Sequence, residues 1–117
     1  MDRQEALRRT YRAFNDRDVD AVLEQMHPDV DWPNAWEGGR IVGRDAVRDY
    51  WTRQFEAISS HVEPESFTDE LDGAVTILVH QVVHDPSTGE LLSDSRVRHR
   101  YWFDDDGLVT RMEVLED

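Results

Sequence analysis

Arg96-Val97-Arg98-His99-Arg100-Tyr101-Trp102-Phe103-Asp104-Asp105-Asp106-Gly107-Leu108-Val109 is the stretch whose reading decides the fold. Its arginines alternate with Val97, His99 and Tyr101, a period of two that marks a strand with unlike surroundings on its two faces. The arginines face outward, so Val97, His99 and Tyr101 point toward whatever covers the other side. Asp104 to Gly107 reads as a turn, and Leu108 to Leu115 returns as the last strand. If this tight hairpin pairs Phe103 with Leu108, His99 stands opposite Met112 and Val97 opposite Val114.

The same period extends upstream. A strand from about Val62 to Leu71 meets Asp72-Gly73, a strong two-residue hairpin signal. Ala74 to His84 is a β-branched strand turned at Asp85-Pro86-Ser87-Thr88-Gly89, and Leu91 to Phe103 follows. The even six-residue turn predicts Thr76, Leu78 and His80 on the inward face. From Val75 to Val83 both parities are largely apolar, which suggests cover on both faces.

The first half is helical. Leu7, Tyr11 and Phe14 recur at helical spacing, with Asp2 as the expected N-cap. Asp18 caps a second helix carrying Val19, Val22, Leu23 and Met26, which Pro28 ends. Val30, Trp32 and Asn34 share a face of a short strand that Pro33 marks as an edge. A loop punctuated by Gly38, Gly39 and Gly43 leads to a third helix, Arg44 to Ile58, with Val47, Tyr50, Trp51, Phe55 and Ile58 on its buried side. Three helices and a four-stranded antiparallel meander with one early strand make an α+β layer fold over a single domain, residues 1–117.

Charge narrows the partners. Thirteen basic residues, all arginine, stand against 26 acidic ones, for a net charge of −13. Such a surface repels phosphate backbones and anionic lipid, so neither nucleic acid nor membrane is an expected partner. No cysteine is present, which excludes disulfides, thiolate metal sites and cysteine nucleophiles. The charged start Met1-Asp2-Arg3-Gln4-Glu5 runs into a helical pattern, so a signal peptide is not expected and a cytoplasmic location is. Three helices can cover only one face of the sheet. A homodimer through the other face is therefore expected, with Ile77, Val79, Val83 and Trp102 as its apolar part and Arg96, Arg98 and Arg100 meeting acids across it.

Leu7…Tyr11-Arg12-Ala13-Phe14-Asn15-Asp16-Arg17-Asp18, then Met26-His27-Pro28-Asp29-Val30, then Gly43-Arg44-Asp45-Ala46-Val47, resembles the nuclear transport factor 2-like superfamily. Within it the chain is most similar to the SnoaL-like branch, which includes ketosteroid isomerases, polyketide cyclases and limonene epoxide hydrolases. The resemblance implies three N-terminal helices packed in a curved, mostly antiparallel sheet, a cone with a pocket at its open end, and a dimer. It does not specify the reaction, because one fold hosts many chemistries. Ketosteroid isomerases use a carboxylate base with a tyrosine and a protonated aspartic acid. Here the base position falls at Asn34, the aspartic acid at His99 and the tyrosine at Thr10, beside Tyr11. Trp32-Pro33-Asn34 resembles the water-holding aromatic-x-Asn pair of the epoxide hydrolases. Their Arg and Asp partners have no counterpart, since the matching positions read Val79-His80-Gln81 and Val114.

The candidate catalytic residues are therefore His99, Asn34 and Tyr11. A neutral imidazole in an apolar enclosure can serve as base or acid near neutral pH, or be a hydrogen-bonded core residue. Asn34 can orient a carbonyl or a water, or cap the strand end. Trp32, Trp51, Leu78, His80, Val97, Tyr101, Met112 and Val114 are the expected ligand-binding wall, with Trp36 beside them. His80 and His84 do not form a metal pair, because four residues along a strand separate them by about 13 Å. No metal and no cofactor are expected. The function reads as a pocket for a small, partly apolar molecule, with isomerase, cyclase or hydratase chemistry and a non-catalytic ligand-binding or dimerisation module both open.

Overall fold

The structure, a computed structural model, describes residues 3–34 and 38–115. Helices α1 (Arg3–Asn15) and α2 (Val19–Glu24) lead into strand β1 (Met26–Pro33) and a short β2 (Arg40–Val42). Helix α3 (Arg44–Ala57) follows, then β3 (Ser59–Asp69), β4 (Val75–His84), β5 (Leu91–Phe103) and β6 (Val109–Leu115). The stripe on α1 buries Leu7, Thr10 and Tyr11, and Asp18 caps α2 by accepting from the Ala21 amide at 3.3 Å. Asp2 and Trp36 lie outside the described residues. Among the described residues no helix is long and apolar enough to cross a membrane.

The strands form one mixed sheet in the order β2-β1-β6-β5-β4-β3. This corrects the expected cone: the sheet is open, with β2 and β3 as its two edges, and is neither closed nor strongly curled. β1 also differs from its reading as an edge strand. It lies inside the sheet, antiparallel to β2 and parallel to β6. Pro33 is tolerated because it ends the strand, opposite Arg40. Pro28 lies within β1, where the pairing with β6 is interrupted between Met26 and Asp31, so no ladder bond is lost to its missing N–H. Residues 40–42, expected as loop, pair as β2. Ile58 is the C-cap of α3 in extended conformation and not part of its buried face.

Two bulges decide which side chains look inward. His84 pairs with Leu91, but Val83 pairs with Ser93, so Leu92 is an extra residue on β5. A one-residue slip exchanges the two faces of a strand. Ile77, not Thr76, consequently stands opposite His99, and Val79 opposite Val97. At the other hairpin Phe103 pairs with Val109 and Trp102 with Arg111, which leaves Thr110 extra. Val114 therefore stands opposite His99 and Met112 opposite Tyr101, two residues from the expected register but on the expected face.

The helices cover the face that carries Val75, Ile77, Val79, Val97 and Tyr101. Ile77 and Val79 are fully buried with Leu7, Met26, Val22, Val30 and Val47. The strip of Ile77, Val79 and Val83 thus belongs to the core and not to the outer face. That outer face holds Leu78, His80 and Val82 beside the arginines. Arg96 bonds Glu65 at 2.7 Å, and Arg100 lies 3.6 Å from Glu70 and donates to Thr76 at 3.0 Å. These two arginines find partners within the chain.

Candidate functional site

Between the helices and the inner face of the sheet lies a cavity of about 190 Å³. α1 contributes Tyr11 and Phe14, α3 contributes Tyr50, Trp51 and Gln54, and β1 contributes Trp32 and Pro33. His99 and Tyr101 project from β5, Met112 and Val114 from β6, and Gln81 from β4. The spacing that buries the face of α3 explains its share: Gln54 follows Tyr50 and Trp51 by one helical turn.

Aromatic rings make the wall rigid. Trp32 and Trp51 meet edge-to-face with centroids 5.5 Å apart, and Phe14 packs on Trp51 at 5.4 Å. Tyr101 lies 6.2 Å from Trp32, which ties the tryptophan pair to the polar end. Such rings are large apolar surfaces held in few rotamers, a good bed for a flat ligand.

The polar end is a hydrogen-bonded chain. Tyr11 Oη lies 2.7 Å from His99 Nδ1 and 2.8 Å from Tyr101 Oη. Burial pushes the His99 imidazole down from its ordinary value of 6.5 to about 4. Burial also raises Tyr11, assisted by the neighbouring Tyr101, and raises Tyr101 itself. At neutral pH all three groups are uncharged. Two proton arrangements then satisfy the chain. In one, Tyr101 donates to Tyr11, Tyr11 donates to Nδ1, and Nε2 carries the imidazole proton. In the other, Nδ1–H donates to Tyr11, Tyr11 donates to Tyr101, and Nε2 is a bare acceptor. Nε2 has no partner within the described chain, and no enclosed side-chain nitrogen there goes without one. Nε2 is therefore not fully enclosed, and His99 is part of the cavity wall.

Among the described residues no carboxylate, arginine or other charged side chain lines the cavity. Nor do three or more His, Cys, Asp or Glu side chains among them converge where a metal ion would sit.

The structure brings together His99, Tyr11, Trp32, Trp51, Tyr101, Met112 and Val114 of the residues singled out from the sequence. Leu78 and His80 are corrections: the Leu92 bulge turns both to the outer face, where His80 Nε2 lies 2.6 Å from Asp94. Val97 faces inward but packs against the core beyond the cavity. Asn34 lies past the end of β1, not in the cavity wall. Its amide donates to Gly39 and its carbonyl accepts from Gly38. The sequence reading missed Thr10, Gln54, Ser60 and Gln81 as lining residues. The inverted parity of β4 hid Gln81. Gln54 carried a usable signal in its helical spacing from Tyr50.

Comparison with known proteins agrees with this architecture. The structure of TerC co-crystallised with polyporic acid is 26% identical, over 98% of this chain and 91% of that one, with a TM-score of 0.82. An NTF2-like protein of unknown function from Burkholderia pseudomallei is 23% identical over 100% of this chain and 92% of its own, with a TM-score of 0.85. A Mycobacterium tuberculosis protein in complex with estradiol-17β-hemisuccinate is 20% identical over 97% and 92%, with a TM-score of 0.83. The last two show the fold alone. No curated protein is significantly similar to the chain. The model of the SnoaL-like domain matches residues 7–112, so the chain belongs to the SnoaL-like family.

Proposed function

We propose that the cavity binds a small, uncharged, partly apolar carbonyl compound and promotes acid–base chemistry on it, an isomerisation, cyclisation or hydration. One observation carries this reading: a neutral His99 whose Nε2 has no partner within the described chain, held through Tyr11 and Tyr101, in an aromatic enclosure. The size suits a single ring with short substituents or a compact bicycle, since a cavity of about 150 Å³ already holds benzene. An ionised ligand is disfavoured, because no charged side chain among the described lining residues offsets its desolvation. The co-crystallisation of TerC with polyporic acid supports small-molecule binding in a related fold. Tyr11 takes the tyrosine role in this reading, one residue from the position expected for it.

The rival reading is a non-catalytic binding module. It is favoured by the same depressed imidazole, which is a weak base, and by Asn34 where related isomerases carry a carboxylate. In either reading we propose that the protein works as a homodimer in the cytoplasm. The dimer now rests on Leu78, Val82 and Trp102, the partly exposed apolar groups of the outer sheet face.

Titration with 2-tetralone, followed by tryptophan fluorescence, tests the cavity. Saturable quenching that His99→Leu weakens tenfold or more, roughly the worth of one buried hydrogen bond, is the expected result. No quenching in the wild type would remove the ligand-site reading.

A further inference from the structure

Three polar residues interrupt apolar surfaces at one end of the cavity. On β4 the inward row runs Val75, Ile77, Val79, Gln81, Val83, and the valines on either side of Gln81 are buried. On β3 Ser60 is only 3% exposed and shares its face with Val62, which pairs with Gln81. Ser60 therefore stands diagonally beside Gln81, about 7–8 Å away across the strands. Gln54 comes from the last turn of α3, one turn after Trp51, and lines the same cavity.

A polar side chain in such a place costs stability unless it is bonded. The side chains that hold this end of the fold together bond to backbone. Asn15 brackets the Val62 amide and carbonyl at 2.9 and 2.8 Å, and Arg17 donates to the Ser60 carbonyl at 2.8 Å. The Gln54 and Gln81 amides and the Ser60 hydroxyl, by contrast, have no hydrogen-bond partner within the described chain. No enclosed side-chain nitrogen or oxygen there goes without one, so these three groups are not fully enclosed, and all three residues belong to the cavity wall.

This end is separate from the one built by Tyr11, His99 and Tyr101. Ile77 stands opposite His99, and Gln81 lies four residues further along β4, about 13 Å at the usual rise of a strand. Resting on the cavity being a ligand site, we propose that Gln54, Ser60 and Gln81 form a second polar subsite, which receives an uncharged hydroxyl group of the ligand.

The chemistry of that group follows from the three side chains. Each carboxamide offers N–H donors and a carbonyl acceptor, and the serine hydroxyl offers both, so the subsite suits a group that donates and accepts. A hydroxyl does both through one atom. A ketone only accepts, which leaves the glutamine carbonyls unpaired. A carboxylate or an ammonium group finds no opposite charge among the described lining residues. Trp51 precedes Gln54 by one turn, so a ring packed on the indole lies beside the amide. The ligand class is a one- or two-ring compound with a hydroxyl on its rim.

The experiment compares 2-tetralone with 6-hydroxy-2-tetralone, which adds a hydroxyl at the ring end remote from the carbonyl, by titration calorimetry at pH 7. The wild type binds the hydroxylated compound about tenfold more tightly. Gln81→Leu and Gln54→Leu, which keep side-chain size, each bring the two affinities within about threefold of each other. Both leave 2-tetralone within about threefold of its wild-type affinity. Ser60→Ala does the same with the smallest change in packing, and it decides where a leucine variant fails to fold. Equal or weaker wild-type binding of the hydroxylated compound, or a preference that survives all three substitutions, overturns the subsite and leaves the ligand site standing. Failure of both compounds to bind removes the ligand site and the subsite with it.

Discussion

Tyr11 and His99 stand 88 residues apart in the chain and 2.7 Å apart in the fold, hydroxyl to imidazole nitrogen. Helix α1 and strand β5 meet through this contact at the polar end of an aromatic cavity. Its consequences can be measured without knowing the ligand.

The first concerns pH. Burial lowers the His99 pKa from 6.5 to about 4, so between these values the unfolded chain binds a proton that the folded one refuses. Stability from this group is fully present above pH 6.5 and declines as the pH falls toward 4. The loss amounts to at most about 3 kcal/mol. Urea midpoints measured from pH 7.5 to 4 should fall over that window, and His99→Leu should flatten that part of the curve. A wild-type profile flat from pH 6.5 to 4.5 would contradict a buried neutral imidazole.

A second expectation tests the register of the sheet. Ile77 is fully buried opposite His99, whereas Leu78, its neighbour, lies on the outer face. Ile77→Ala should cost about 2–5 kcal/mol and Leu78→Ala about 1 kcal/mol or less in urea melts. Equal costs, or the reverse order, would contradict the inward position of Ile77 opposite His99.

These two positions also show what the sequence makes legible. The helices, the four later strands and the inward side of β5 follow from local spacing, because alternating Arg96, Arg98 and Arg100 leave no ambiguity of face. The side of β4 was not legible. Both its parities are apolar, so its face depends on the turn, and a single extra residue at Leu92 reversed it. That one residue moved Leu78 and His80 out of the predicted wall and brought Gln81 in. The parallel pairing of β1 with β6 was equally hidden, because it joins segments about eighty residues apart with no turn to announce it. His99, Tyr11 and Tyr101 were readable one at a time as inward groups. Their hydrogen bonds depend on how α1 crosses the sheet, which no local pattern encodes.

The tryptophan pair supplies a third test. Trp51 is almost wholly buried and packs edge-on against both Trp32 and Phe14. Trp51→Ala should destabilise the fold by about 3–5 kcal/mol. Trp51→Phe should keep the fold and widen the cavity, shifting preference toward larger bicyclic ketones in the fluorescence titration. Unchanged preference would place the ligand elsewhere.

The proposed dimer is decided by mass. Sedimentation equilibrium at micromolar concentration should give about twice 13.7 kDa. Leu78→Arg should return it to one chain by placing a charge on the outer face. A wild-type mass of one chain ends the proposal.

The central claim, a neutral His99 held by Tyr11 in a ligand-binding cavity, is tested most directly by long-range proton–nitrogen NMR of the histidine rings at pH 7, with and without 2-tetralone. The account predicts a neutral His99 ring whose resonances move on saturation, while those of His27, His61, His80 and His84 stay in place. A protonated His99, or one that does not respond to a ligand that demonstrably binds, would contradict it.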